Sequence, residues 1–168
     1  MSVDVTYFDL RIDGLILGFG TTAVNLAGET RNRGVEVSLT AHPVPELDLG
    51  ATYTYLHDRD ANGDRLFRRP DHQASVNASY RFLGDRADVD VTALYVGGRD
   101  DVGFDAFFTP VRVRLNPYVV VNLAGHYRLG DHVSLFARVE NLFDETYQEV
   151  FTFGRPGVTA FAGLSVQY

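Results

Sequence analysis

The chain has no cysteine, no lysine and no tryptophan, and its one methionine is Met1. Lack of cysteine excludes disulfides and thiolate metal sites. Lack of lysine makes all fifteen basic residues arginine, and the formal net charge is −7. That balance argues against a nucleic-acid partner, which favours a basic patch. No run of eighteen apolar residues occurs, so no transmembrane helix is expected. The opening MSVDVTYFDLRIDGLI has no charged segment leading into an apolar one, so it does not read as a signal peptide. No two of the five histidines (His42, His57, His72, His126, His132) have metal-ligand spacing such as H-x-x-x-H. There is no serine nucleophile elbow and no phosphate-binding glycine loop. The chain is therefore not expected to be an enzyme.

What the sequence does have is a period of two. GVEVSLTA places Val35, Val37, Leu39 and Ala41 opposite Glu36, Ser38 and Thr40. The same alternation runs through LDLGATYTYLH, QASVNASYRF, ADVDVTALYV, YVVVNLAGHYRL, HVSLFARVE and GVTAFAGLSVQY. With a less regular first segment, about Val3 to Ile12, this predicts an all-β chain of about eight antiparallel strands and no useful helix.

The connections carry a second pattern. HPVPE, LGDR and LGD are short, whereas Asp13–Arg33, Asp58–Asp71, Gly97–Pro117 and Phe143–Pro156 are long, and the two kinds alternate strictly. A membrane barrel segregates short periplasmic turns from long outer loops in this way, and each strand has the length to cross a bilayer when tilted. Apolar faces that are aliphatic in the middle and aromatic near an end (Tyr53, Tyr55, Tyr80, Phe82, Tyr95, Tyr127) suit lipid, and the opposite faces suit a watery lumen. A soluble barrel or sandwich that binds a small lipid gives the same alternation, so the loop asymmetry is what favours the membrane.

At this point the residues resemble a known family. From Tyr95 to Tyr168 the sequence resembles the C-terminal end of TonB-dependent outer-membrane receptors, above all in NLFDETYQEV, the following GRPG and a terminal aromatic strand. GVEVSLTAHPVPELDLGATYTYLH and LFRRPDHQASVNASYRF read like consecutive barrel strands of that family. The likeness spans essentially the whole chain and is nearest to the cobalamin-receptor branch. It implies that residues 1–168 are the C-terminal portion of a barrel of about 22 strands, without plug domain or signal peptide, in the outer membrane of a Gram-negative bacterium. The expected origin is a truncated gene, a split gene or a mis-called start. The implied function is TonB-energised uptake of a scarce ligand such as a siderophore–iron complex or cobalamin, which the fragment cannot perform alone. The implied partners are outer-membrane lipid, that ligand, the TonB complex through the absent N-terminal parts, and the barrel assembly machinery. The signal for that machinery is expected at Leu164, Val166 and Tyr168.

Three loop stretches are candidate sites. DRDANGD matches the start of an EF-hand-type calcium loop, which would use Asp58, Asp60, Asn62 and Asp64. The twelfth position carries Arg69 instead of glutamate and no helices flank it, so a polar hairpin loop is the simpler reading. In GRDDVGFDAFFTPVRVRL, Phe104, Phe107, Phe108 and Arg99 are candidates to pack and orient a ligand, set against a plain strand extension above the membrane. RLFRRPDHQ clusters arginines that would bind lipopolysaccharide or an anionic siderophore, or neutralise neighbouring aspartates. The rival functions are a complete eight-stranded outer-membrane barrel with a structural or adhesive role, the soluble lipid binder, and an outer-membrane enzyme.

Overall fold

A computed structural model of the chain describes residues 1–19 and 22–168. In chain order the strands are β1 (Ser2–Asp13), β2 (Ile16–Phe19), β3 (Thr22–Asn25), β4 (Glu29–Val44), β5 (Leu47–Arg59), β6 (His72–Phe82) and β7 (Ala87–Val96). They continue as β8 (Arg99–Phe104), β9 (Pro110–Leu115), β10 (Tyr118–Arg128), β11 (Val133–Glu140), β12 (Gln148–Val150), β13 (Phe153–Gly154) and β14 (Thr159–Val166). Eight of them form one antiparallel sheet in the order β1-β4-β5-β6-β7-β10-β11-β14. The pairs β2–β3, β8–β9 and β12–β13 are separate hairpins inside three of the long connections. The tip of the first long connection, residues 20 and 21, lies outside the described residues.

Register turns the alternation of each strand into two continuous faces, because a period of two sends every second side chain the same way. Ala41, Leu49, Ala78, Val91, Leu123, Val139 and Ala160 line up as one apolar row. Ser2, Thr40, Gly50, Asn77, Thr92 and Asn122 line up as a polar row on the other face. The apolar face carries aromatics at both of its margins. Tyr7, Tyr53, Tyr55 and Tyr95 lie toward the long loops, and Tyr80, Phe82 and Tyr127 lie toward the short turns. The β6–β7 turn needs left-handed backbone at Leu83 (φ 56°), Gly84 (φ 64°) and Asp85 (φ 60°), which glycine and aspartate take at least cost. On the polar face, Phe136 lies over Gly163, its partner on the neighbouring strand, so a side chain at 163 would collide with the ring.

Two of the rival readings fail on this topology. A soluble sandwich needs a second sheet, but the long strands all belong to one sheet. Val3, Val5, Tyr7, Val76 and Leu164 stand exposed on the apolar face with no layer over them among the described residues, a continuous surface of the kind that lipid covers. A complete eight-stranded barrel would pair β1 with β14, but these are the two edges of the sheet. Unpaired backbone groups cost several kcal/mol each in hydrocarbon, so in lipid both edges require further strands.

The small buried core is at the long-loop end. Val96, Tyr118 and Val120 are buried there, with Leu94 and Tyr147 packed on them. These residues of β7 and β10 project from the polar face, so the core exists because the β11–β14 connection folds inward over the sheet.

Candidate loop platform at the barrel mouth

The β8–β9 hairpin continues β7 and β10 past the aromatic margin, and its own alternation decides what it touches. In RDDVGF, Arg99, Asp101 and Gly103 are buried while Asp100 and Val102 are only partly so. Asp101 is completely buried. Its carboxylate accepts Arg68 Nε at 2.7 Å, the Val102 N–H at 2.8 Å and the Phe151 N–H at 2.7 Å. One side chain thus joins the β5–β6, β7–β10 and β11–β14 connections. Burial pushes the Asp101 carboxyl up, but the Phe151 N–H, Arg68 and the Val102 N–H outweigh burial and hold it below the usual carboxylate range. Gly103 leaves room for Phe151, whose ring would lie 3.1 Å from a Cβ there.

Arg99 completes the joint. It donates to the Gln148 carbonyl at 3.0 Å and lies 5.5 Å from the centre of the Tyr118 ring, which stacks on Tyr147 at 4.2 Å. Asp100 faces the other way and accepts from Arg112 at 2.8 Å and Arg114 at 3.0 Å. Burial raises its carboxyl, and the hydrogen bonds from Arg114 and Arg112 more than reverse this, so it too is held low. Arg112 also covers the Phe67 ring at 4.5 Å.

Phe104, Phe107 and Phe108 are brought together at the hairpin tip, the latter two 88% and 85% exposed. An Asp105 turn shapes the tip, with its carboxylate accepting the Phe107 and Thr109 N–H groups at 2.8 Å each. Arg99 is not with them. It is buried at the hairpin base, about 17 Å away along the strand.

Two of the four residues expected to hold calcium, Asp58 and Asp60, accept hydrogen bonds from the loop's own backbone. Asp58 is fully buried and accepts the Leu66 N–H at 2.6 Å, while its other oxygen has no partner. Asp60 spends one oxygen on the Asn62 and Asp64 N–H groups, at 2.9 Å each, which closes the loop on itself. Among the described residues no group of three or more His, Asp or Glu is placed to hold a metal. Of the arginines in RLFRRPDHQ, Arg65 pairs with Asp71 and Arg68 with Asp101.

In NLFDETYQEV, Asn141, Asp144 and Glu149 bond within the β11–β14 connection. Asn141 (φ 53°) is buried; its side chain accepts the Glu145 N–H at 2.8 Å and donates to the Glu145 carbonyl at 2.9 Å, and its own N–H donates to Asn122 Oδ1 at 2.9 Å. Asp144 accepts the Val158 N–H at 2.9 Å, and Glu149 pairs with Arg155. They turn the chain inward from β11 and return it to β14. Beneath this connection a groove of about 420 Å³ is lined on the polar wall by Asp90, Thr92, Asn122, Arg138 and Glu140, with Tyr147 above.

Asp101 and Asn141 were not among the expected site residues, and Arg68 was expected only as one of the arginines clustered in RLFRRPDHQ. The period of two in RDDVGF places Arg99, Asp101 and Gly103 on one side, a signal that pointed to their shared burial. At the far end, Leu164 and Val166 are exposed on the apolar face of β14, with Tyr168 just beyond the strand.

Comparison with known proteins agrees with this architecture. The family model described as TonB dependent receptor-like, beta-barrel, matches residues 1–142. The metal-pseudopaline receptor CntO of Pseudomonas aeruginosa is 31% identical over 132 residues, covering 73% of this chain and 18% of the relative. The vitamin B12 transporter BtuB of Vibrio cholerae is 30% identical over 147 residues, covering 86% of this chain and 23% of the relative. Among solved structures, FpvA of P. aeruginosa bound to a heterologous pyoverdine superposes with a TM-score of 0.83 at 20% identity, over 98% of this chain and 24% of that one. The copper transporter OprC superposes with a TM-score of 0.74 at 18% identity, over 99% of this chain and 29% of that one. The chain therefore spans about a quarter or less of the curated relatives it matches. Sheet, loop asymmetry and sequence kinship agree: the chain belongs to the TonB-dependent receptor β-barrel family, and its eight long strands are outer-membrane barrel strands.

Proposed function

We propose that the chain serves as part of the wall and mouth of a receptor that takes up a scarce, bulky ligand, a siderophore–metal complex or a cobalamin, with energy supplied through TonB. The observation that carries this reading is the joint at Asp101, which holds three outer loops as one platform over a polar inner wall. A rigid platform with exposed aromatics at its rim suits capture of a large ligand, because little conformational entropy is lost on binding. Phe104, Phe107 and Phe108 pack the ligand, and the groove beneath, lined by Asp90, Asn122 and Glu140, lies on its way inward. Leu164, Val166 and Tyr168 present the strand that the barrel assembly machinery reads. The function involves no covalent chemistry.

The test is uptake of labelled cobalamin and of ferric siderophores by cells with and without the gene for this chain, in TonB-competent and TonB-deficient backgrounds. Loss of uptake of one ligand class, dependent on both the gene and TonB, is expected. Unchanged uptake of every class would contradict the proposal.

A further inference from the structure

On the apolar face, the last rows of β1, β4 and β5 change character above the aromatic margin. Tyr7, Val35 and Tyr55 form the margin row. The next row out is Asp9, Arg33 and His57, and the one beyond is Arg11, Arg31 and Arg59. Because alternation keeps these side chains on the same face as Tyr7 and Tyr55, they point away from the lumen, along the outer wall. The rows stand about 7 and 13 Å beyond the tyrosines along the strands, at the level of lipid headgroups once strand tilt is allowed for. Arg31, Arg33, His57 and Arg59 line a pocket of about 220 Å³.

The charge is only partly balanced. Asp9 is taken by Arg31, and Glu29 lies 3.9 Å from Arg11. Arg33 and Arg59 have no acidic side chain within ion-pair distance among the described residues. An unbalanced cationic pocket in a chain of net charge −7, facing the headgroup layer, is complementary to phosphate. The planar guanidinium fork binds phosphate oxygens in pairs.

We propose that the pocket formed by Arg31, Arg33 and Arg59 seats a phosphate of a glycolipid in the outer leaflet. The acyl chains run down past Tyr55 and Tyr7 over the apolar rows, and the phosphate closes the ring of arginines. This rests on the reading of the chain as barrel wall, but it assigns a lipid site distinct from the ligand platform on the opposite face.

Native mass spectrometry of the receptor barrel containing this chain, in dodecyl maltoside, tests it by titration with bis-phosphorylated lipid A and with the fully dephosphorylated lipid. The variant Arg33→Gln/Arg59→Gln is compared with Arg86→Gln/Arg128→Gln, which removes the same charge at the short-turn end of the strands. Affinity for the phosphorylated lipid is expected to fall roughly thirty-fold in the first variant, the factor that two cations near an anionic surface contribute, and to stay unchanged in the second. Three results would overturn the proposal: equal affinity of the first variant and the parent, equal binding of the dephosphorylated lipid by the parent, or displacement of the lipid by millimolar inorganic phosphate. Heat-modifiable gel mobility reports barrel folding separately, so failure of the barrel reading shows as its loss, whatever lipid binds.

Discussion

The Asp101 carboxylate accepts the Phe151 N–H at 2.7 Å, joining two outer connections whose residues stand 50 positions apart. With Arg68 on the same carboxylate, the mouth of the structure is one cross-linked unit rather than a set of independent loops.

Asp101→Ala leaves the Phe151 and Val102 N–H groups and Arg68 without their shared acceptor. A buried donor left unsatisfied costs about 1–3 kcal/mol. Hydrogen exchange at the Phe151 amide is expected to speed up by at least about tenfold, while exchange in the mid-strand amides of β7 and β10 is unchanged. Equal protection in variant and parent would show that the loops are held by other contacts.

The platform is also sensitive to acid. Asp100 and Asp101 are held below the usual carboxylate range, so the folded platform favours their ionised forms. Their contribution is complete above the unfolded carboxylate value of about 3.9, and it is lost as pH falls through the lower folded values. Loop protection, corrected for intrinsic exchange rate, is therefore expected to be flat from about pH 8 to pH 5 and to decline only below about pH 4. A decline already complete at about pH 5 would mean that these carboxyls are raised instead of lowered.

Val91 sits in the central apolar row, paired with Ala78 and Leu123. Val91→Arg is expected to cost roughly 2–4 kcal/mol at the bilayer midplane, measured by urea unfolding of the barrel in lipid bilayers. Asn77→Arg, in the neighbouring polar row opposite Thr92 and exposed on the watery side, is expected to cost much less. Similar costs for the two would remove the distinction between faces.

Asn141→Ala loses the bonds to Glu145 and forces alanine into a left-handed backbone, a penalty of about 1–2 kcal/mol added to the unmade hydrogen bonds. The expected outcome is a reduced fraction of heat-modifiable, assembled barrel. Asn141→Asp, which tolerates φ 53° and keeps the acceptor for the Glu145 N–H, is expected to recover most of it. Failure of the aspartate to recover more than the alanine would assign the defect to something other than backbone conformation and that bond.

The strands and their facing were legible because alternation is local: Val35–Ala41 or Ala87–Tyr95 declares its two faces within a few residues. The loop segregation showed which end is which for the same reason. What stayed hidden was contact between loops. Nothing near Asp101 in sequence announces that Arg68 and Phe151 converge on it, and nothing in DRDANGD says that Asp58 turns inward to Leu66 while Asp60 closes its own turn. Arg99 looked like a ligand contact because it neighbours the phenylalanine-rich tip in sequence, but the extended backbone of β8 carries the two apart. The arginine rows of β1, β4 and β5 became a pocket only when register placed Arg31 beside Arg59 and Arg33 beside His57.

The absence of native cysteine makes the sidedness of the structure directly measurable. Single substitutions Phe107→Cys, at the β8–β9 tip, and Asp85→Cys, in the β6–β7 turn, can be labelled in whole cells with a membrane-impermeant maleimide. Phe107→Cys is expected to label on intact cells, and Asp85→Cys only after the outer membrane is permeabilised. Labelling of Asp85→Cys on intact cells, or protection of Phe107→Cys, would contradict the placement of these strands across the outer membrane with their long loops outside.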